Sequence, residues 1–76
     1  MIAKTTGIVL HTLRYGESSL IVHVYTEHFG RISLMAKGVK NAKKPGRTAL
    51  LQPLKILSME VYYKPSREIQ ILKEFN

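Results

Sequence analysis

The side chains best suited to catalysis are few in this chain and do not form a catalytic pattern. Its three histidines are His11, His23 and His28. They lack the spacing of a helical ligand pair, and two of them fall on predicted strands, so we expect surface or packing roles rather than metal binding. Glu17 precedes Ser18, which could suggest a nucleophilic serine, but nothing in the sequence indicates that a histidine lies beside that serine. A polar loop is the better interpretation of these residues. The glycines lack the Gly-Lys-Ser/Thr ending of a phosphate loop, so the sequence indicates a binding module, without cofactor or metal, rather than an enzyme.

Positive charge is concentrated in one part of the chain. Residues 37–47 hold five cations and no carboxylate: Lys37, Lys40, Lys43, Lys44 and Arg47. With Arg31 and Lys55 they give the region from His28 to Met59 a charge of +7, which equals the net charge of the whole chain. The remainder is neutral. A one-sided cationic segment on a balanced domain predicts a polyanion as partner, with nucleic acid favoured over a merely solvated loop, an anionic membrane or an acidic protein.

The length and the cysteine count limit the kind of domain. A chain of 76 residues makes one small domain, residues 1–76, which buries only roughly 60% of its unfolded surface. The absence of cysteine fits a reducing cytoplasm, and no apolar run is long enough for a signal segment or a membrane span. We therefore expect a soluble intracellular domain. Residues 73–76 resemble the end of a strand rather than a tail, which is typical of a fragment.

Hydrophobic periodicity predicts strands along most of the chain. The five predicted strands are residues 5–13, 20–26, 31–37, 54–63 and 68–75. In the second, Leu20, Val22 and Val24 share one face, and in the third, Ile32, Leu34 and Ala36 point inward. Residues 38–48 are predicted to be a loop because Pro45-Gly46 stops a helix, and residues 49–51 to be a short helical turn before Pro53.

Five strands in so short a chain favour a closed all-β barrel. Two sheets could not both be well filled, whereas closing one sheet removes its exposed edges. The alternatives are a Greek-key OB-fold barrel and an SH3-like barrel. A long connection between the third and fourth strands favours the OB-fold, here with little or no helix between those strands.

The aromatic side chains add one candidate for contact with nucleic acid. Tyr25 shares the outward face of the second strand with His23, and we expect it near Ser33 or Met35 of the third strand. Base stacking on an aromatic face is worth roughly 1–3 kcal/mol per base. Ordinary packing or solvent exposure remains the alternative for Tyr25.

Five short motifs, in order and at matching spacings, resemble one protein family. They are Lys4-Thr-Thr-Gly-Ile-Val-Leu, Tyr15-Gly-Glu-Ser, Val24-Tyr-Thr-Glu-His-Phe-Gly, Ala36-Lys-Gly-Val-Lys and Leu51-Gln-Pro-Leu. Together they resemble the N-terminal domain of the bacterial recombination mediator RecO. The resemblance implies an OB-fold that binds single- and double-stranded DNA in a protein that anneals strands and, with RecR, helps load RecA onto strands coated by single-strand-binding protein. The family's helical C-terminal domain is absent from these residues.

The resemblance also implies which residues bind DNA. Lys37 and Lys40 match the family's basic stretch after the third strand, while Lys43, Lys44 and Arg47 extend it by charge alone, as does Arg31. Tyr15-Gly-Glu-Ser matches too, but we expect a structural role in a tight turn. A second hypothesis remains open, in which the barrel docks RecR or an acidic protein tail and DNA binding is secondary.

Overall fold

The computed structural model describes residues 1–38 and 48–76 and contains five strands in that part of the chain. The strands are β1 (Ile2–Tyr15), β2 (Ser19–Thr26), β3 (Gly30–Ala36), β4 (Ile56–Tyr62) and β5 (Ile69–Phe75). A 3-10 helix, Thr48–Leu51, precedes β4 and confirms the predicted helical turn. The predicted loop lies, apart from its two ends, outside the described residues. Within the described ranges, no helix has the length and apolar character needed to cross a membrane.

The strands close into a barrel in the order β1-β2-β3-β5-β4, with β4 pairing back onto β1. The β3–β5 pair is parallel and the other pairs are antiparallel. β1 pairs with two neighbours: residues 2–8 pair with β4, and residues 7–15 pair with β2. This all-β, five-stranded closed barrel confirms the predicted OB-fold.

The predicted inward faces of β2 and β3 are confirmed. Val22, Val24, Leu34 and Ala36 are buried, and the partly buried Leu20 and Ile32 pack against them. The other buried apolar residues of the core are Val9, Leu51, Leu57, Met59, Val61, Leu72 and Phe75. Because side chains alternate along a strand, the residues between these positions form the outside of the barrel.

Two tight turns hold β1, β2 and β3 in register. Residues 16–18 join β1 to β2, and residues 27–29 join β2 to β3. Gly16 and Gly30 have φ angles of 68° and 65°. Side chains with a Cβ rarely adopt these angles, so glycine is the residue that both turns require. The Tyr15-Gly-Glu-Ser motif thus lies at a turn.

β1 departs from simple alternation, and β5 buries a polar side chain. The β1–β2 register shifts between Val9 and His11, which leaves Leu10 as an extra residue in a β-bulge. In β5, Gln70 is buried together with Leu72 and Phe75, whereas Ile69 is exposed and Ile71 is half-buried. The Gln70 amide donates to the carbonyl oxygens of Lys64 and Arg67 at 2.9 and 3.0 Å and accepts from the Lys64 N–H at 2.8 Å. A buried polar side chain therefore fastens the β4–β5 turn.

Candidate nucleic-acid interface

The outward side chains of β2 and β3 form a continuous surface, which we call the outer face. It consists of cross-strand pairs: Tyr25 opposite Arg31, His23 opposite Ser33, and Ile21 opposite Met35. The register of β1 against β2 extends this surface with His11, Leu13 and Tyr15. The tight turns hold the strands in register, and Val22, Val24 and Leu34 anchor β2 and β3 to the core on the opposite face. The outward side chains are therefore carried by well-packed strands.

Tyr25 and Arg31 are brought together at one end of the outer face. Tyr25 is 60% exposed and Arg31 is exposed. Tyr25 was expected near Ser33 or Met35, and the hairpin register places it directly opposite Arg31, with Ser33 as its diagonal neighbour. Side chains opposed in this way have Cβ atoms about 4.5–5.5 Å apart, so one ligand can contact the ring and the guanidinium together.

Lys37 lies at the other end of the outer face. It is exposed and follows the last residue of β3, in the turn at residues 37–38. It lies six positions after Arg31, which corresponds to about 20 Å at roughly 3.3 Å per strand residue. The two cations therefore mark the ends of a long surface rather than one pocket. The remaining predicted site residues, Lys40, Lys43, Lys44 and Arg47, lie outside the described residues.

The charges differ between two sides of the barrel. No Asp or Glu occurs in the sequences of β2 or β3. On another side, Lys4 of β1 is opposite Glu60 of β4, Glu60 is opposite Glu74 of β5, and the Lys73 ammonium lies 3.6 Å from a Glu60 carboxylate oxygen. Cations are thus balanced by carboxylates there and unbalanced on β3, so the potential of the outer face favours an anionic ligand.

Two histidines meet in the middle of the outer face, an arrangement that sequence reasoning missed. The His11 and His23 rings are stacked, with centroids 6.2 Å apart and planes 14° from parallel. The His23 Nδ1 atom lies 2.9 Å from the Ser33 hydroxyl oxygen. Strand alternation alone gives the outward direction of His23, but pairing it with His11 requires knowledge of the β1 bulge.

The third histidine belongs to a different part of the barrel. His28 lies in the β2–β3 turn, and its Nδ1 atom is 3.0 Å from the Thr5 hydroxyl oxygen. The adjacent Phe29 stacks on Tyr63, with ring centroids 4.1 Å apart, and packs at that end of the barrel. Among the described residues, no three His, Asp or Glu side chains lie together as a metal site requires.

Comparisons with known proteins agree with this architecture. The sequence profile of the family described as "Recombination protein O N terminal" matches residues 1–76. A DNA repair protein RecO from Phocaeicola vulgatus is 40% identical over 74 residues, which are 97% of this chain and 31% of the relative. One from Bacteroides fragilis is 39% identical with the same coverage, and one from Salinibacter ruber is 40% identical over 73 residues, 96% of this chain and 28% of the relative. The chain spans less than a third of the length of these relatives. It belongs to the RecO N-terminal domain family.

Proposed function

We propose that this chain is the DNA-binding domain of a recombination mediator in DNA repair. It binds single- and double-stranded DNA without sequence preference and supports strand annealing and RecA loading. The observation that carries the proposal is the outer face of the OB-fold barrel, where the exposed Arg31 and Tyr25 lie on strands without carboxylates and the exposed Lys37 directly follows β3.

Contacts with phosphates account for the affinity. Arg31 and Lys37 neutralise phosphates of a strand lying along the outer face, and the released counterions provide the driving force. Lys40, Lys43, Lys44 and Arg47 extend this charge along the chain. Phosphate contacts position a strand without reading its bases, which gives the absence of sequence preference. A cationic surface that holds two strands also lowers their mutual repulsion, and annealing follows.

In the proposal, the domain takes part in the role of a longer RecO protein. The domain acts with RecR, with single-strand-binding protein and with RecA in the full-length system, in the bacterial cytoplasm at the nucleoid. These partners fit a domain whose relatives are named DNA repair proteins and are more than three times as long. A cofactor has no part in this mechanism.

A binding role is also better supported than catalysis. The hydrogen-bonded Ser33 and His23 resemble two members of a nucleophile triad. A triad needs a third group that orients the imidazole, and it needs donors that stabilise the developing oxyanion. Within the described ranges, no carboxylate contacts His23, and the Nδ1 atom that such a group would hold is already directed to Ser33. The pair is better explained as a support for the ring.

A protein-docking role is favoured by a separate observation. Ile8 and Ile56 are opposite each other on β1 and β4, 42% and 69% exposed, beside Leu54, which is 81% exposed. Tyr25 and Glu27 line the same groove as the two isoleucines. Exposed apolar side chains grouped in this way mark interaction sites. In this second candidate function the barrel docks RecR or another protein segment and DNA binding is secondary.

Salt-dependent DNA binding by two matched double variants tests the proposal. Arg31→Gln with Lys37→Gln removes two cations from the outer face. If both contact phosphates of single-stranded DNA, the slope of log affinity against log salt concentration falls by about 1.4, since each contact contributes about 0.7. Fluorescence anisotropy with labelled oligonucleotides of unrelated sequence measures the slope.

Lys4→Gln with Lys73→Gln is the control. It removes the same charge from the side where both lysines lie near Glu60. We expect the control to change the slope less. Equal slopes for the two double variants, or binding by the parent chain that does not respond to salt, would overturn DNA binding by the outer face and favour protein docking.

A further inference from the structure

We infer that the stacked imidazoles of His11 and His23 form a base-stacking site for single-stranded DNA in the middle of the outer face. This inference rests on the proposed DNA-binding function and deepens it, because it assigns a contact to the bases as well as to the phosphates. It also predicts a preference for single strands over duplexes.

The bulge in β1 builds the site. If β1 alternated strictly after the buried Val9, Leu10 would point outward and His11 inward. The register shift instead places His11 opposite His23, whose side chain points outward because Val22 and Val24 point inward. Bulges commonly re-aim a side chain at a functional site. The β1 bulge therefore places the His11 and His23 rings next to each other and nearly parallel.

The His23 ring is held in place before any ligand arrives. Ser33 fixes the orientation of the His23 ring through its Nδ1 atom, and the His11 ring lies against the other ring at a centroid distance of 6.2 Å. The His23 side chain is half-buried and His11 is exposed, so the rings remain accessible on the surface. Binding to side chains that are already ordered avoids part of the entropic cost of association.

The surroundings of the ring pair favour nucleobases as the ligand. Tyr25 lies two residues from His23 on the same face of β2, which corresponds to about 7 Å at roughly 3.4 Å per residue. Arg31 is opposite Tyr25, and no carboxylate occurs on β2 or β3. Aromatic rings interleaved with cations on a barrel face are the arrangement that proteins use to stack bases while tracking a phosphate backbone.

The same geometry discriminates between DNA forms. In a duplex the faces of the bases are stacked on each other, and only their edges are presented in the grooves. Planar side chains on a strand surface can stack on bases only when those bases are unpaired. Phosphate contacts by Arg31 and Lys37 remain possible for both forms. The histidine pair is therefore expected to strengthen binding to single strands alone.

Alanine variants of the histidines test this assignment in the 76-residue chain. The probes are an oligothymidine of about 16 nucleotides, the upper end of the site size of one OB-fold, an abasic oligonucleotide of equal length, and a duplex of that length. For His11→Ala and for the His11→Ala/His23→Ala double variant we expect affinity for oligothymidine to fall about fivefold or more, the low end of losses measured for base stacking. Binding to the abasic strand and to the duplex should not change, nor should the salt slope.

His28→Ala is the matched control, because it removes an imidazole from the β2–β3 turn. Thermal unfolding identifies any variant that fails to fold. If the double variant does not fold, the single variant His11→Ala serves as the test. Unchanged oligothymidine binding by the His11→Ala variant would overturn the inference, and so would an equal loss on the abasic strand, which would assign the imidazoles to phosphates. Neither result would contradict the proposed phosphate contacts of Arg31 and Lys37, which are tested separately by the salt slope. A parent chain that binds none of the probes would instead refute the proposed function itself.

Discussion

Gly7 faces the barrel interior from β1, at a point where no side chain fits. A Cβ atom there would lie 2.7 Å from Met59 Cε, 3.0 Å from the carbonyl oxygen of Tyr25 and 3.2 Å from Val24 Cγ1. The methionine end can move, but the carbonyl belongs to the strand that carries the outer face. We expect Gly7→Ala to lower the free energy of unfolding by about 1–3 kcal/mol, the usual cost of overpacking, as measured by chemical denaturation.

A second substitution separates the two sources of this cost. In a Met59→Ala background the 2.7 Å contact with Met59 Cε is gone, while the contact with the Tyr25 carbonyl remains. Gly7→Ala should therefore cost less in that background than in the parent chain, which is a coupling between neighbouring sites. Additive effects of the two substitutions would mean that the backbone of β2, rather than the methionine, limits the space at Gly7.

The candidate site could be predicted from the sequence only in part, and the residues show why. Arg31 and Tyr25 are found by alternation, because Tyr25 lies between the buried Val24 and Thr26, and Arg31 precedes Ile32, which packs against the core. His11 cannot be found in this way, since it meets His23 only through a register that includes a bulge. Charge identifies Lys40, Lys43, Lys44 and Arg47 as candidates, and their assignment to DNA remains a prediction.

Among the elements, the 3-10 helix Thr48–Leu51 places Leu51 in the core. Leu51 is 1% exposed, whereas its neighbour Leu50 is 37% exposed. Leu51→Ala should lower the free energy of unfolding by about 2–5 kcal/mol, because it leaves a cavity in the packed core. Leu50→Ala is the matched control and should cost much less. Similar losses for both variants, measured by denaturant titration, would contradict the assignment of this helix to the core.

The predicted elements agree with the structure where one face of a strand is apolar. β2 and β3 were predictable because a slip of one residue would expose their entire inward sets. The fifth strand was predicted without assigning its faces, and the buried Gln70 shows the reason, since its amide is satisfied by the backbone of a turn that adjoins the strand. β1 runs from Ile2 to Tyr15 and is longer at both ends than the predicted strand. Its ends depend on pairing with β4 and β2, which the local hydrophobic pattern of the sequence does not reveal.

At the scale of the whole molecule, the barrel converts a linear charge pattern into a spatial one. The sequence predicts a cationic segment and a neutral remainder. Closure of the barrel then brings Lys4 and Glu60 opposite each other although they are 56 positions apart in the chain (60 − 4). Neutralisation on that side leaves Arg31 of β3 and the five cations of residues 37–47 as the main excess of positive charge, which we expect to attract a polyanion over long range.

The basic segment after β3 should therefore act on binding and not on folding. Lys43→Ala with Lys44→Ala is expected to change the free energy of unfolding by no more than about 0.5 kcal/mol, as is usual for surface substitutions. If both lysines contact phosphates of single-stranded DNA, the slope of log affinity against log salt concentration falls by about 1.4, and by a similar amount for unrelated sequences. Lys4→Ala with Lys73→Ala, an equal loss of charge on the balanced side, should reduce the slope less. Binding by the Lys43/Lys44 variant that matches the parent chain at every salt concentration would limit the interface to the outer face, because the segment would then be solvated charge that does not meet the strand.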